Sequence, residues 1–197
     1  NSILLLTIIN GNPNKLIFPP LDYDSWNTIY EKNVWVGWAD FNGDKICKST
    51  KVYNFSIENI AIKIENKSNY PKIFKRISKV DLFENDVIHI TLDMPFPFSN
   101  RDYVVKYIQS IEEKAKIYQY YAVEKPKIDL QKNVIRLTNA YGEWRLTQLT
   151  PNSTKVSYIW NGELLGSFPD WALTDAWETQ GVEVLNWLEE ALIKELY

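Results

Sequence analysis

The sequence holds one cysteine, one histidine, one methionine and seven glycines among 197 residues. Each scarcity removes a class of chemistry. Cys47 has no partner for an internal disulfide, so stability must come from packing and the redox compartment stays undetermined. His89, with that single cysteine, cannot complete the usual ligand set of a metal site without several carboxylates, and neither a metal nor a cofactor is expected. Gly162 and Gly166 lack the spacing and the lysine of a phosphate loop. No G-x-S-x-G elbow or readable nucleophilic triad occurs, and enzymatic activity is not expected. A formal net charge of -3, with 24% charged residues, offers no strongly basic face, which argues against a nucleic-acid partner.

Long hydrophobic runs are also missing. Ile3 to Ile9 is apolar except for Thr7, too short to span a bilayer. It reads as a buried strand or short helix in preference to the remnant of a signal-peptide h-region, because no small-residue cleavage site follows it before Pro20. With no other long run, a soluble chain is expected, cytoplasmic slightly favoured over exported. Repeats, low-complexity tracts and linkers are absent. At this length a single domain buries roughly 70% of the surface its unfolded form exposes.

Aromatic residues are abundant, with eight tryptophans, twelve tyrosines and eight phenylalanines. They supply large buried area with polar tips, to fill a core or line a cavity. Asn42-Gly43-Asp44 predicts a hairpin turn between strands over 26–40 and 45–55. Ser56 caps a helix carrying Ile57, Ile60, Ala61 and Ile64 on one stripe. A second short helix is expected from Pro71, with Ile73, Phe74, Ile77 and Val80 on one side. Six short strands with polar turns follow between Leu82 and Trp160, predicting an antiparallel meander. Pro95 and Pro97 end one of these strands, since proline donates nothing to a ladder, and Arg101 begins the next. A terminal helix should run from Pro169 toward Leu196. The class is α+β.

Pro95-Phe-Pro97-Phe-Ser99-Asn-Arg101-Asp102 resembles the P-x-P-x-S-x-R-D segment of the START family, the lipid-transfer domains related to the steroidogenic acute regulatory protein. Gly166-Ser-Phe-Pro169-Asp-Trp171 resembles the same family's G-x-I-P-x-W approach to its last helix. Val134–Leu149 and Thr154–Trp160 are similar to the strands between these motifs, in the same order. The resemblance covers 26–196, leaving 1–25 as an N-terminal segment of uncertain role. It implies a helix-grip fold, a curved antiparallel sheet around the C-terminal helix, enclosing an apolar tunnel for one lipid. It also implies binding and carriage with no bond broken, and transient contact with a membrane surface. In several relatives an arginine six residues after the motif arginine enters the cavity and pairs with an acid on the preceding strand. The corresponding positions in this chain are Tyr107 and Thr91, so neutral groups replace an ion pair that would be costly to desolvate.

Strand period two then puts Tyr103, Val105, Tyr107 and Gln109 on the inner face of one strand, and His89 and Thr91 on that of its neighbour. His89 reads as a structural or pocket-lining polar group, since catalysis or metal binding needs partners that are not visible. On the terminal helix, Trp177, Gly181, Leu185 and Leu188 share one buried direction at helical pitch. A glycine there marks either the cavity wall, a break in the helix or a close sheet contact. Lys72, Lys75, Arg76 and Lys79 form a basic stripe on the expected second helix, suited to docking on an anionic membrane or simply to solvation. The expected function is a lipid carrier or sensor. Two alternatives stay open: a helix-grip aromatase/cyclase-type enzyme, and an interaction protein whose aromatics fill the tunnel.

Overall fold

The computed structural model describes residues 16, 18–162 and 170–195. The apolar run Ile3–Ile9, and Gly166 to Pro169 of the second motif, lie outside the described residues. The first hairpin joins β2 (Trp35–Phe41) to β3 (Asp44–Tyr53), with Phe41 opposite Asp44. Asn42 and Gly43 turn the chain with φ of 52° and 90°, the double positive φ that a two-residue hairpin needs. Strand β1 (Asn27–Glu31) pairs with β2 at the sheet edge.

Helix α1 (Ile57–Glu65) begins where the Ser56 hydroxyl accepts from the Asn59 amide, and it buries Ile57, Ile60, Ala61 and Ile64. The second helix is shorter than its sequence pattern. Helix α2 spans only Tyr70–Ile73, and Ile77–Leu82 is a strand, β4. A register shift between Ile77 and Lys79 explains the misreading. It brings Ile77 and Val80 opposite Leu92 and Ile90, on one face three residues apart, where a bulge imitates helical spacing.

The rest of the sheet is β5 (Val87–Leu92), β6 (Asn100–Glu112), β7 (Ala115–Ala122), β8 (Val134–Arg136), β9 (Tyr141–Thr150) and β10 (Ser153–Asn161). The strand order is β1-β2-β3-β10-β9-β7-β6-β5-β4, with β8 paired to β6 in parallel. Every other pairing is antiparallel. The expected meander holds for β5, β6, β7, β9 and β10, which neighbour one another in chain order, while β8 leaves it to pair with β6 in parallel. Its last strand, β10, lies between β9 and β3, which joins the first hairpin to the later strands.

Helix α3 (Asp170–Ile193) lies against β2, β3, α1 and α2. Its line Trp177, Gly181, Leu185, Leu188 and Leu192 is buried. Two partly covered ion pairs hold it in place: Lys51 of β3 with Glu189 at 2.6 Å, and Arg76 of the turn before β4 with Glu183 at 2.6 Å. Among the described residues no helix is long and apolar enough to cross a membrane. In the N-terminal segment, Phe18 lies 5.9 Å from the Tyr141 ring and Tyr23 5.5 Å from Phe41.

Candidate ligand cavity

Between the sheet and the flank of α3 lies a cavity of about 330 Å3. Four strands give its aromatic wall: Tyr103 and Tyr107 from β6, Tyr120 from β7, Trp144 from β9 and Tyr158 from β10. Trp144 and Tyr158 stack with centroids 4.4 Å apart, and Tyr158 and Trp160 at 4.9 Å. Ile90 and Leu92 extend this wall on β5, and Ala172, Ala176, Thr179, Gln180, Val184 and Trp187 line it from α3. The segment between β5 and β6 contributes Met94, Pro95 and Phe98. This is the role of the double proline: it carries the chain out of the ladder and across the rim of the cavity. Phe96, between them, is 98% exposed.

The polar groups have distinct environments. Burial pushes the Tyr103, Tyr107 and Tyr120 phenols well up from their ordinary pKa, and that of Tyr158 to about 12. The Tyr120 and Tyr158 hydroxyls lie 3.0 Å apart. Arg76 makes a two-pronged pair with Glu183, Nε and Nη2 donating over 2.6 and 2.9 Å. Arg101 is buried in the wall, donates to the Ser99 carbonyl, and has its pKa lowered by burial.

Of the residues expected from the sequence, Tyr103 and Tyr107 line the cavity. Val105 shares their face but belongs to the closed core, and Gln109 is exposed farther along β6. His89 and Thr91 must be corrected: they lie on the opposite face. The ladder pairs Ile90 with Tyr103 and Leu92 with Arg101, and directly opposed residues share a face. His89 instead sits between two carboxylates, Nε2 2.8 Å from Asp102 and Nδ1 3.3 Å from Asp81. Arg136 of β8 donates to both Asp102 oxygens over 2.6 and 2.7 Å. The motif's adjacent arginine and aspartate thus point to opposite faces of the sheet, one to the cavity wall and one to this polar cluster.

Trp177, Gly181, Leu185 and Leu188 are also corrected. They face the sheet core and do not line the cavity. The Trp177 indole donates to the Gly162 carbonyl at 2.8 Å, and the Leu185 carbonyl accepts from the Tyr53 hydroxyl at 2.7 Å. The cavity uses the neighbouring, less apolar flank of α3. The basic residues do not share a helix face either. Arg76 pairs with Glu183, Lys75 with Glu190 and Lys79 with Asp81, while Lys79 lies on β4 and Lys72 is exposed on α2. The cavity residues that sequence reasoning missed had one usable signal: Tyr158 and Trp160 alternate on a single strand face, a period-two aromatic pair.

Human StAR-related lipid transfer protein 5 superposes with a TM-score of 0.80 over 90% of this chain and 90% of its own, at 15% identity. The chain has the START-type helix-grip fold. A STAR-related lipid transfer protein from Xanthomonas axonopodis gives a TM-score of 0.74 at 17% identity, covering 86% of this chain and 99% of that one. The Zhui aromatase/cyclase from a Streptomyces species is more distant, with a TM-score of 0.53 at 12% identity over 77% of this chain and 95% of its own. No family model matches the sequence, and no curated protein does.

Proposed function

We propose that this protein takes up one hydrophobic small molecule in the cavity between sheet and α3 and carries or senses it without breaking a bond. The observation that carries the reading is the cavity itself: about 330 Å3, within the range of roughly 300–1,000 Å3 usual for small-molecule sites. Its wall is dominated by aromatic and aliphatic side chains, with a few fixed polar groups to orient a ligand. The open volume also weighs against a tunnel filled by its own aromatics. Native mass spectrometry of the purified protein, followed by extraction, tests the proposal. One bound molecule per chain, recovered chemically unchanged after incubation, is the expected result. A ligand converted to a cyclised or dehydrated product would support the aromatase/cyclase alternative instead. Complete failure to hold any hydrophobic compound would refute binding.

Ligand exchange with a membrane would occur at the proline-rich rim. Phe96 is exposed on a segment whose neighbours Pro95 and Phe98 line the cavity, and an isolated aromatic suits the bilayer interface. Most of the basic residues first associated with docking are engaged in ion pairs. Phe96→Asp should slow transfer of a fluorescent ligand between vesicles about threefold to tenfold, given a cost of burial in the interface on the order of 1 kcal/mol. Affinity for detergent-solubilised ligand should be unchanged. Equal transfer rates would remove this rim from the exchange path.

A further inference from the structure

Resting on the proposed cavity function, we infer a ligand class: an uncharged amphiphile whose hydroxyl or carbonyl oxygen hydrogen-bonds Tyr103 at an inner neck of the cavity. A second chamber of about 60 Å3 adjoins the main one, and the two share Leu92, Tyr103, Tyr120, Leu137, Tyr158 and Gln180. These residues form the neck. The Tyr158 hydroxyl is already engaged by Tyr120. Tyr103 lines both chambers, and among the described residues its hydroxyl has no hydrogen-bond partner. A phenol offers one donor and can accept in return. An oxygen at the neck would therefore meet an open donor.

The charge of the wall favours a neutral head. The charged lining residues among those described are Arg76, Arg101, Asp175 and Glu183, two of each sign. Arg76 is held by Glu183 through two hydrogen bonds, and Arg101 donates to the carbonyl at the base of the proline-rich segment. No charged residue among those described lines the smaller chamber. A carboxylate, sulfate or phosphate brought to the neck would lose its hydration among phenols and an amide, and burying such a charge without a matched partner is costly. Hydroxyl and carbonyl oxygens lose far less, and one hydrogen bond to Tyr103 offsets it. The small volume adds a size limit, favouring a single-chain or compact ring ligand near the lower end of the usual pocket range.

The test is displacement of the uncharged fluorophore N-phenyl-1-naphthylamine by matched pairs at pH 8: tetradecanol against myristate, and cholesterol against cholesteryl sulfate. The uncharged member of at least one pair should compete at least about tenfold better, as an unmatched buried charge costs more than one decade of affinity. Tyr103→Phe should weaken that neutral ligand about twofold to tenfold, the worth of one neutral hydrogen bond, with competition referred to the fluorophore affinity measured for each protein. Equal or stronger binding by the ionised members, or no effect of Tyr103→Phe on the neutral one, overturns the inference while leaving the cavity function intact. A folded protein that binds neither fluorophore nor competitor refutes both.

Discussion

Asp102→Ala should destabilise the protein by about 3–5 kcal/mol, the usual cost of removing one partner from a buried ion pair. Asp102 is 1% exposed and receives Arg136 through both carboxylate oxygens and His89 at 2.8 Å. Deleting the carboxylate leaves a guanidinium and a buried imidazole facing one another. The effect has a local direction. β8 is three residues long and runs parallel to β6, with Arg136 opposite Asp102. Leu137, next in sequence, donates its backbone N–H to the Asp102 carbonyl and lines the cavity. A polar cluster on one face of the sheet thereby fixes a wall residue on the other.

The same site has a defined pH dependence. Burial alone would raise the Asp102 pKa, but hydrogen bonds from Arg136 and His89, with their charges, hold the carboxyl below its usual range. A carboxylate with a depressed folded pKa contributes stability that is fully present above its unfolded value, near 3.9, and is lost as pH falls through the folded value. Asp102→Asn keeps the shape and removes the titration. The stability gap between wild type and Asp102→Asn, measured by urea denaturation, should be widest near neutrality and narrow below about pH 4. A gap independent of pH down to pH 2 would mean that the carboxylate charge contributes nothing and that shape alone matters.

Much of this arrangement was legible in the sequence because several signals agreed. The double proline, the asparagine-glycine turn and the capped α1 each set backbone geometry through local chemistry, independently of the tertiary context. The faces of β6 followed from alternation once the resemblance had turned Tyr107 toward the cavity. The face of β5 did not, because the resemblance set Thr91 at the place of the relatives' acid, and the irregular proline segment between β5 and β6 keeps the alternation of β6 from checking that placement. A shift of one residue reverses every side chain, which moved His89 and Thr91 to the wrong side and hid Ile90 and Leu92. At β4, a bulge disguised a strand as a helix.

The terminal helix shows a different limit. Its most continuous apolar line, through Trp177, Leu185, Leu188 and Leu192, is the line that excludes water from the core. Thr179, Gln180 and Glu183 line the cavity instead, where side chains bordering open space need not pack against apolar neighbours. The strength of an apolar stripe therefore marks packing more reliably than it marks a binding site. Gly181 lies on that stripe, and its environment explains why.

Gly181→Leu should lower stability by about 1–3 kcal/mol, the usual cost of overpacking, while leaving one ligand bound per chain below the melting transition. A Cβ added at Gly181 would lie 2.9 Å from both Val36 methyl carbons and 3.1 Å from the Ser49 Cβ. Both neighbours are fully buried on β2 and β3. Val36 cannot swing aside, because a β-branched side chain is confined near one rotamer and close packing surrounds it. The glycine is retained for close approach between helix and sheet, at a propensity cost of roughly 1 kcal/mol relative to alanine. Alanine would recover that propensity while introducing the first contact, so Gly181→Ala should change stability less than leucine does. At about 2–4 °C per kcal/mol for a chain of this size, thermal melts separate the variants, and native mass spectrometry reads their occupancy. The cavity flank, Ala176, Gln180, Val184 and Trp187, points away from the added side chain. If Gly181→Leu instead melted like wild type yet lost its ligand, the leucine would have to occupy the ligand's space, and the close contact between α3 and β2 would be wrong.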